Sequence, residues 1–455
     1  MRTFEVFAVL ALEVGLSVVH PQCISGNDSF PSPTSPNLEI FIGFNMKLFA
    51  EVLPQQGNFV FSPYTVWRSL LLAYFGSQGK TLKELAWALP AYDKTETLAI
   101  FKATTLMYEG PDAFESLFAT SSRLYLDDGI PVRDCVFDLL KENITLVEFD
   151  QPKLAAKRIN SAVGEDTRHM VRELVSASDL RSKQAVSVSA AFFKGAWEQP
   201  FRPENTTHEK FFTENDVYVT LDMMHHIGHF RKTHSKSLNA SVLELPFLGE
   251  SASMLVVLPD KKDIRIDLKL VLSKLERSRK SVFFVSAKRR TKVSVKLPRF
   301  TIEATVTESL TQALRRLNIS DLFSENANLS SYIDVHRKEE NGIGGGIGGA
   351  ERGGKRIGER GKGESGITKA RVSAIFEKAV VVIDEGGLSP ELEGNPNPAG
   401  RVIRRTKLFE CDRPFAFFIV GNKNKAILFM GVYRGPTEDL IRGIDPIHYK
   451  KSKTY

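Results

Sequence analysis

The sequence that decides the fold is residues 378–387, which read Lys-Ala-Val-Val-Val-Ile-Asp-Glu-Gly-Gly. Four consecutive β-branched residues at 380–383 predict a strand that is buried on both faces. The strand ends at two acidic residues and two glycines. Residues 388–400 then contain three prolines, which cannot continue a strand ladder because proline has no N–H to donate. A second apolar stretch begins at Phe409, so the pattern predicts a core strand, an exposed loop and a return to the core.

Arginine side chains follow the prolines near the end of this loop, at Arg401, Arg404 and Arg405. Exposed loop segments are the preferred sites of proteolytic cleavage. An exposed loop that carries arginines is therefore a predicted target of a trypsin-like protease, and we expect it to be the functional site.

The composition bounds the class of protein. The chain has 455 residues, 42% hydrophobic and 25% charged, which is ordinary for a globular protein of one large domain or two. A net charge of +7 leaves a polyanionic glycan open as a partner, while a solvated basic surface explains the same charge. The basic cluster Lys288, Arg289, Arg290 and Lys292 has the same two interpretations, glycan binding or protection of an edge strand. No nucleic-acid partner is expected.

The N-terminal residues 1–20 predict a signal peptide, because Arg2 is followed by a mostly apolar run from Val6 to Val19. No later stretch is long and apolar enough to predict a membrane span. We therefore expect a secreted, extracellular glycoprotein that does not sit in a membrane. The predicted glycosylation sites are the six N-x-S/T sequons at Asn27, Asn143, Asn205, Asn239, Asn318 and Asn328.

The three cysteines, Cys23, Cys135 and Cys411, are an odd number and predict no disulfide framework. Cys135 and Cys411 have apolar neighbours in the sequence and are predicted to be small core residues.

Local signals near the N-terminus predict secondary structure in some detail. Apolar residues at helical spacing predict a helix over 38–52. Asn58–Phe61 predicts a short strand, after which Ser62 and Pro63 provide an N-cap and a first-turn proline for a helix that ends near Gly76. Residues 81–84, Thr-Leu-Lys-Glu, predict a capping box at the start of the next helix.

Blocks of the sequence resemble, in order, those of the serpin family. The two most specific are Asn58-Phe-Val-Phe-Ser-Pro63 and Ser189-Ala-Ala-Phe-Phe-Lys-Gly-Ala-Trp-Glu-Gln-Pro-Phe201. The resemblance covers about residues 37–436 and suggests an insect-like or other secreted animal serpin. It implies an α+β fold: a single, monomeric serpin domain with three β-sheets, eight to nine helices and an exposed reactive-centre loop at 386–408. The other matching blocks are 76–85, 123–127, 159–167, 223–225, 255–259, 297–300 and 427–431.

Two segments lie outside the family pattern. Residues 337–369 contain twelve glycines, eight basic and five acidic residues, which is too little apolar surface to offset the entropy of ordering. We interpret this segment as a disordered insertion, and a gene-model artefact fits the same composition. Residues 437–455 are expected to be a flexible C-terminal tail.

The resemblance also implies the site residues. Gly387 matches the hinge glycine of the family, and the bait residue fourteen positions further on is Arg401, followed by Val402; Arg404 is a competing register. The remaining matches are with the hinge (Glu385, Gly386, Gly387, Leu388, Pro390) and with the breach and shutter regions of the main sheet (Trp197, Arg299, Ser62, Ser189, Glu377). Ser189 and Glu377 replace the asparagine and the histidine of the family's shutter, two positions that contact each other in the family.

In the family, cleavage lets the loop insert into the main sheet and trap the acylated protease. Leu388 stands where a hydroxyl residue is expected, and Pro390 stands where alanine is expected. A proline in the middle of a sheet removes a ladder bond, at a cost of about 1–3 kcal/mol. Two hypotheses therefore stay open: a suicide inhibitor of a trypsin-like serine protease, or a non-inhibitory serpin that acts as a protease substrate, carrier or chaperone.

A distant alternative is a metal-dependent enzyme that uses His225, His226, His229 and His234. These histidines fall in a strand-like segment, where neighbouring side chains point to opposite faces, and no H-E-x-x-H spacing is present. The glycine pattern at 344–349 formally fits a dinucleotide motif but has no strand before it and no helix after it. We therefore predict no enzyme, no cofactor and no metal site.

Overall fold

The computed structural model describes Cys23 and residues 38–89, 93–109, 117–213, 217–260, 271, 273–275, 288–334, 370–386 and 406–436. The predicted signal peptide (1–20), the glycine-rich insertion (337–369) and the C-terminal tail (437–455) lie outside the described residues.

Seven α-helices are complete within the described residues. Helical residues at Val271 and 273–275 belong to an eighth helix, so the number agrees with the predicted range. The seven are α1 (Leu38–Val52), α2 (Pro63–Gly76), α3 (Gly79–Ala88), α4 (Lys94–Glu109), α5 (Asp134–Leu140), α6 (Pro152–Asp166) and α7 (Glu308–Arg316).

Within the part of the chain that the structure describes, the main sheet has five strands in the order β10-β11-β4-β2-β3. Nearly every residue of β4 is buried, because α2 covers one face of this sheet and α6 lies over the other. The strands are β2 (Leu117–Asp127), β3 (Ile144–Val147), β4 (Ala185–Lys194), β10 (Phe300–Val306) and β11 (Ala374–Ile383).

The other nine strands form a continuous hydrogen-bonded path in the order β1-β14-β13-β8-β7-β6-β9-β12, with β5 pairing β6. The long strand β6 divides this path into two sheets, because residues 223–230 pair with β9 and residues 231–235 pair with β7. The fold is thus α+β with three sheets, as predicted. The strands are β1 (Phe59–Phe61), β5 (Thr207–Phe212), β6 (Tyr218–Ser235), β7 (Ala240–Pro246), β8 (Ala252–Pro259), β9 (Thr291–Pro298), β12 (Lys407–Glu410), β13 (Phe415–Gly421) and β14 (Ile427–Tyr433).

The first and last strands of the described residues, β1 and β14, are neighbours. β14 pairs with β1 on one side and with β13 on the other, and β13 pairs with β8. The side chain of Asn58 fastens this junction, since its amide donates to the oxygen of Gly435 at 2.7 Å and its oxygen accepts the N–H of Arg434 at 2.7 Å. The two C-terminal strands therefore fill the centre of a sheet whose other members come from much earlier in the chain.

The helix predicted after Ser62 forms as expected. The Ser62 hydroxyl accepts the N–H of Thr65 at 3.3 Å, and Pro63 occupies the first turn of α2. Every residue of α2 is buried, so this helix forms the centre of the core rather than an amphipathic surface element.

The predicted capping box at Thr81 and Glu84 is wrong. The helix α3 begins two residues earlier, at Gly79, and both side chains reach the turn at Asp321–Phe323 instead. The Thr81 hydroxyl donates to the Asp321 carboxylate at 2.6 Å, and Glu84 accepts the N–H groups of Ser320 and Asp321. A tertiary partner thus takes both polar groups that the local pattern assigned to the helix start.

The prediction for Cys135 is also wrong. Cys135 forms a disulfide with Cys23, with a Cα–Cα distance of 5.8 Å across a sequence separation of 112 residues. Cys411 is a buried free thiol, as predicted. The error arose because an odd count says nothing about which two cysteines the fold brings together.

Candidate functional site

The predicted strand at 380–383 is part of β11 and lies inside the main sheet. β11 pairs antiparallel with β10 on one side and parallel with β4 on the other, in register from Ala374–Val186 to Val382–Lys194. No strand lies between β4 and β11 in the described part of the chain. We call the contact line between β4 and β11 the seam. The seam is closed.

The chain leaves the end of β11 through Asp384, Glu385 and Gly386, which we call the exit of β11. Two hydrogen bonds to backbone oxygens hold this exit in place. The indole Nε1 of Trp197 donates to the backbone oxygen of Asp384 at 2.8 Å. The N–H of Phe201 donates to the backbone oxygen of Glu385 at 2.9 Å. The segment just after β4 therefore holds the chain at Asp384 and at Glu385, the first residue of the hinge.

Trp197 is itself held rigidly. It is 3% exposed, stacks on Phe247 with ring centroids 4.6 Å apart, and meets Phe201 edge-on at 5.8 Å. Gly195 permits this packing, because a Cβ at that position would lie 2.3 Å from the Phe247 ring. Aromatic stacking of this kind adds about 0.5–1.5 kcal/mol to the energy of burial.

Side-chain charges surround the same exit. Glu385 accepts a hydrogen bond from Thr206 at 2.8 Å and lies 3.7 Å from Arg299, which also pairs with Asp222. Lys194, the last residue of β4, pairs with the Asp384 carboxylate at 2.7 Å. Arg299 is half exposed, so we assign its ion pairs a modest contribution to stability.

At the middle of the seam, Ser62, Ser189 and Glu377 lie on the α2 side of the sheet. The Ser62 N–H donates to Oε1 of Glu377 at 3.1 Å, and its hydroxyl donates to the oxygen of Leu428 at 2.9 Å. Ser189 and Glu377 are register partners, yet the Ser189 hydroxyl donates to the backbone oxygen of Phe376 at 3.2 Å. The Ser189 side chain therefore bonds across the seam to the backbone of β11, and not to the side chain of Glu377.

Glu377 is fully buried, and its second oxygen, Oε2, has no hydrogen-bond partner among the described residues. Burial raises the pKa of this carboxyl well above its ordinary value, and the N–H of Ser62 offsets only part of that effect. The neutral, protonated acid is therefore the form that the closed seam favours.

The opposite face of the sheet is held by α6. Asp166, at the C-terminal end of this helix, receives two hydrogen bonds from Arg123 at 2.9 and 2.6 Å and one from Ser121 at 2.7 Å. Arg123 and Ser121 both lie on β2. This three-residue contact fastens α6 to the sheet.

The predicted reactive segment lies outside the described residues: Gly387, Leu388, Pro390, Arg401, Val402 and Arg404 all fall within 387–405. The chain is described again from Thr406 and enters β12, which pairs parallel with β9. Lys407 and Leu408, which the resemblance places in the loop, instead belong to this strand, because its backbone pairs with β9. The segment therefore starts at the main sheet and ends on a different sheet.

The four histidines do not converge. His225 pairs with Glu209 at 2.6 Å, and His234 pairs with Asp260 at 2.8 Å. His226 packs edge-on against Phe201 and Phe230, and its burial lowers its pKa. Within the described residues, no group of three or more His, Cys, Asp or Glu side chains is placed to hold a metal ion. The metal-enzyme alternative gains no support from this arrangement.

In the basic cluster at 288–292, Arg290 is engaged in ion pairs and the other three basic side chains are exposed. Arg290 makes two hydrogen bonds with Glu198, at 2.7 and 3.1 Å, and one with Glu250. Lys288, Arg289 and Lys292 are exposed.

Five of the six sequons are described, and they differ in exposure. Asn205, Asn239 and Asn318 are exposed, while Asn143 and Asn328 are half-buried. The amide nitrogen of Asn143 donates to the oxygen of Ser122 at 2.9 Å, so the atom that would carry a glycan is engaged in the fold. Asn27 lies outside the described residues. None of the described helices is long and apolar enough to cross a bilayer.

Sequence reasoning missed several residues at the hinge, namely Thr206, Asp222, Lys194 and the backbone of Phe201. Thr206 and Asp222 carry no local signal, because each acts on a residue more than 70 positions away. The contact between Ser62 and Glu377, which are 315 residues apart, also has no local sequence signal, and only the family pattern places both residues at the seam.

Comparison with known proteins agrees with this architecture. Residues 42–436 match the family model described as "Serpin (serine protease inhibitor)". A serine protease inhibitor of Cyanea capillata is 28% identical over 391 residues, covering 83% of this chain and 92% of that protein. Human serpin B3 is 26% identical over 409 residues, covering 84% and 94% of the two chains.

Among solved structures, serine protease inhibitor (serpin) 12 of Manduca sexta superposes with a TM-score of 0.71 at 25% identity, covering 87% of this chain and 98% of that one. The family match spans both the main sheet with its closed seam and the two strands that flank the loop. The chain belongs to the serpin family.

Proposed function

We propose that this serpin is a secreted inhibitor of a trypsin-like serine protease and that its loop presents the Arg401–Val402 bond as bait. The observation that carries the proposal is the closed seam between β4 and β11. In the family, this seam is the line along which a cleaved loop inserts, so a closed seam with the loop attached at its end is the state before reaction.

The length of the loop supports this function. Residues 387–405 connect the end of the main sheet to β12, and nineteen residues can extend over about 65 Å. Arg401 is fourteen residues beyond the hinge glycine, which leaves enough chain to form a new strand alongside β11. The competing register places the bait at Arg404.

Two features support secretion. The Cys23–Cys135 disulfide fits an oxidising compartment, and Cys23 lies three positions beyond the end of the predicted signal segment 1–20. Three exposed sequons are compatible with glycosylation in the same pathway.

The competing candidate is a non-inhibitory serpin that acts as a protease substrate, carrier or chaperone. Leu388 and Pro390 favour it, because a branched side chain and a missing N–H both slow insertion of the loop. Insertion competes with hydrolysis of the acyl-enzyme, and a tenfold delay corresponds to only about 1.4 kcal/mol.

Incubation with trypsin followed by a denaturing gel tests the proposal. An inhibitor gives a complex that resists SDS, whereas a substrate gives simple clipping. We expect Arg401→Ala to abolish the reaction and Arg404→Ala to leave it intact; the reverse result would establish the competing register. Clipping without any complex in the wild type would favour the non-inhibitory function.

A polyanionic glycan is a proposed accessory partner. Lys288, Arg289 and Lys292 are exposed, and phosphate or sulfate groups bind such clusters in a salt-dependent manner. Retention on heparin–agarose that falls when Lys288 and Arg289 are replaced by alanine would support a glycan partner.

The protein is expected to be a monomer, and a single peak of monomer size in gel filtration would fit that expectation.

A further inference from the structure

The buried carboxyl of Glu377 lies at the one place in the fold that has to separate when the loop inserts. Glu377 is 0% exposed and pairs in register with Ser189 across the seam. One of its oxygens accepts a hydrogen bond from the N–H of Ser62, and the other has no partner among the described residues. Burial of an ionised carboxylate in such a site is unfavourable in free energy, because one hydrogen bond from a neutral N–H does not replace the hydration of the carboxylate.

No ion pair to Glu377 is found among the described residues, so none offsets that unfavourable free energy. The closest elements packed against β11 are β4, β10, β1, α2 and α7. Their ionisable side chains are engaged elsewhere, so burial and the Ser62 N–H set the direction in which the Glu377 pKa shifts. The engaged groups are Lys194 with Asp384, Glu303 with Lys378, Arg68 and Tyr64 with Glu109, Arg316 with Glu51, Glu308 with Gln312, and Arg315 with the ring of Phe323.

We propose that opening of the seam releases a proton from Glu377, so that the sheet is held closed more firmly in acid than at neutral or alkaline pH. In the closed sheet the acid keeps its proton on a buried oxygen. When β4 and β11 separate, water reaches the carboxyl, the O–H bond breaks and the proton passes to solvent. Glu377 is thus a positioning residue that links loop insertion to pH.

The direction follows from linkage. The closed state binds the proton more tightly than the open state, so the closed state is fully stabilised below the pKa of the open, hydrated carboxyl, which is that of an ordinary glutamate. Above that pH the closed state loses stability until the pH passes the pKa of the closed form. Across this window the opening constant rises by up to tenfold per pH unit, because one proton is released.

Hydrogen–deuterium exchange of the full chain tests the inference at the seam itself. Peptides covering β4 and β11 would be followed from pH 5 to pH 8, with correction for the intrinsic exchange rate. We expect the opening constant of wild-type protein to rise with pH. The variant Glu377→Gln keeps the acceptor for Ser62 but has no proton to release, so its opening constant should be flat and at least tenfold smaller at pH 8.

Glu244→Gln is the matched control. Glu244 is 2% exposed but paired with Arg231 and Ser253 on another sheet, so its loss should leave the pH dependence at the seam unchanged. Equal slopes in wild type and Glu377→Gln would overturn the inference, and so would a flat profile in wild type, which needs no variant to fold. The inference concerns the sheet used in the proposed function, but its test needs no protease; failure to inhibit trypsin would leave this result standing.

Discussion

The indole nitrogen of Trp197 lies 2.8 Å from the backbone oxygen of Asp384 and donates a hydrogen bond to it. Trp197 is stacked on Phe247. The residue that follows β11, Asp384, is therefore bonded to a rigid aromatic group rather than to a flexible side chain. This bond holds the start of the hinge next to the end of the closed seam, where Val382 pairs with Lys194.

Replacing Trp197 with phenylalanine removes the hydrogen bond from the indole to the backbone oxygen of Asp384. We expect the free energy of unfolding to fall by about 1–2 kcal/mol. Thermal or urea unfolding measures the change. Trp87→Phe is the control, since Trp87 is 85% exposed and its replacement should stay within about 0.5 kcal/mol. An equal loss in both variants would contradict the role of the bond.

Replacing Asp166 with alanine removes the contact that fastens α6 to β2. The guanidinium of Arg123 loses both of its hydrogen bonds to the carboxylate, so we expect α6 to loosen and stability to fall by about 1–2 kcal/mol. Faster hydrogen exchange in a peptide covering 152–166 would show it. Glu165→Ala, at an exposed neighbour, should leave that exchange unchanged.

The Cys23–Cys135 disulfide closes a loop of more than a hundred residues. The double variant Cys23→Ser, Cys135→Ser should lower the free energy of unfolding by about 2–4 kcal/mol. Alkylation gives an independent reading by mass: denatured wild-type protein should react at one thiol, Cys411, before reduction and at all three cysteines after it. Reaction at three thiols without reductant would show that the disulfide is absent.

The hinge can be brought closer to the family pattern with Leu388→Thr and Pro390→Ala. Restoring the N–H and the smaller side chains should speed insertion, and we expect the ratio of SDS-resistant complex to clipped product with trypsin to rise by about tenfold. The same double change in an Arg401→Ala background should give neither product. A variant that is clipped as before, without more complex, would show that the hinge is not what limits inhibition.

Glycosylation should follow the exposure of the sequons. In protein secreted from animal cells, we expect glycans on Asn205, Asn239 and Asn318, and an unmodified Asn143, whose amide nitrogen is bonded to Ser122. Peptide mass spectrometry before and after removal of N-glycans measures occupancy. A glycan on Asn143 in folded, secreted protein would contradict the structure at that point.

Much of the fold was predictable because its signals are local. The run at 380–383 predicts a buried strand from four consecutive side chains, and Ser62 with Pro63 predicts the start of α2 from two. The family pattern added the order of the elements. Neither kind of signal requires knowledge of the tertiary contacts that a residue makes with distant parts of the chain.

The rest could not be predicted because it depends on distant partners. Thr81 and Glu84 look like a helix start, but their partners in the turn at Asp321 lie about 240 residues away. The Cys23–Cys135 pair has the same character. At the seam, the sequence indicates that a glutamate replaces a histidine, and only the structure shows that one oxygen of that glutamate has no partner.

The pairing of β14 with β1, and of β13 with β8, has a consequence for biosynthesis. β13 and β14 leave the ribosome long after β1 and β8, and until they emerge β1 and β8 lack these neighbours in the sheet. The nascent chain therefore exposes unpaired strand edges for most of its synthesis, when aggregation is hardest to avoid. A stop codon anywhere before residue 415 would leave a product that cannot complete its core at all.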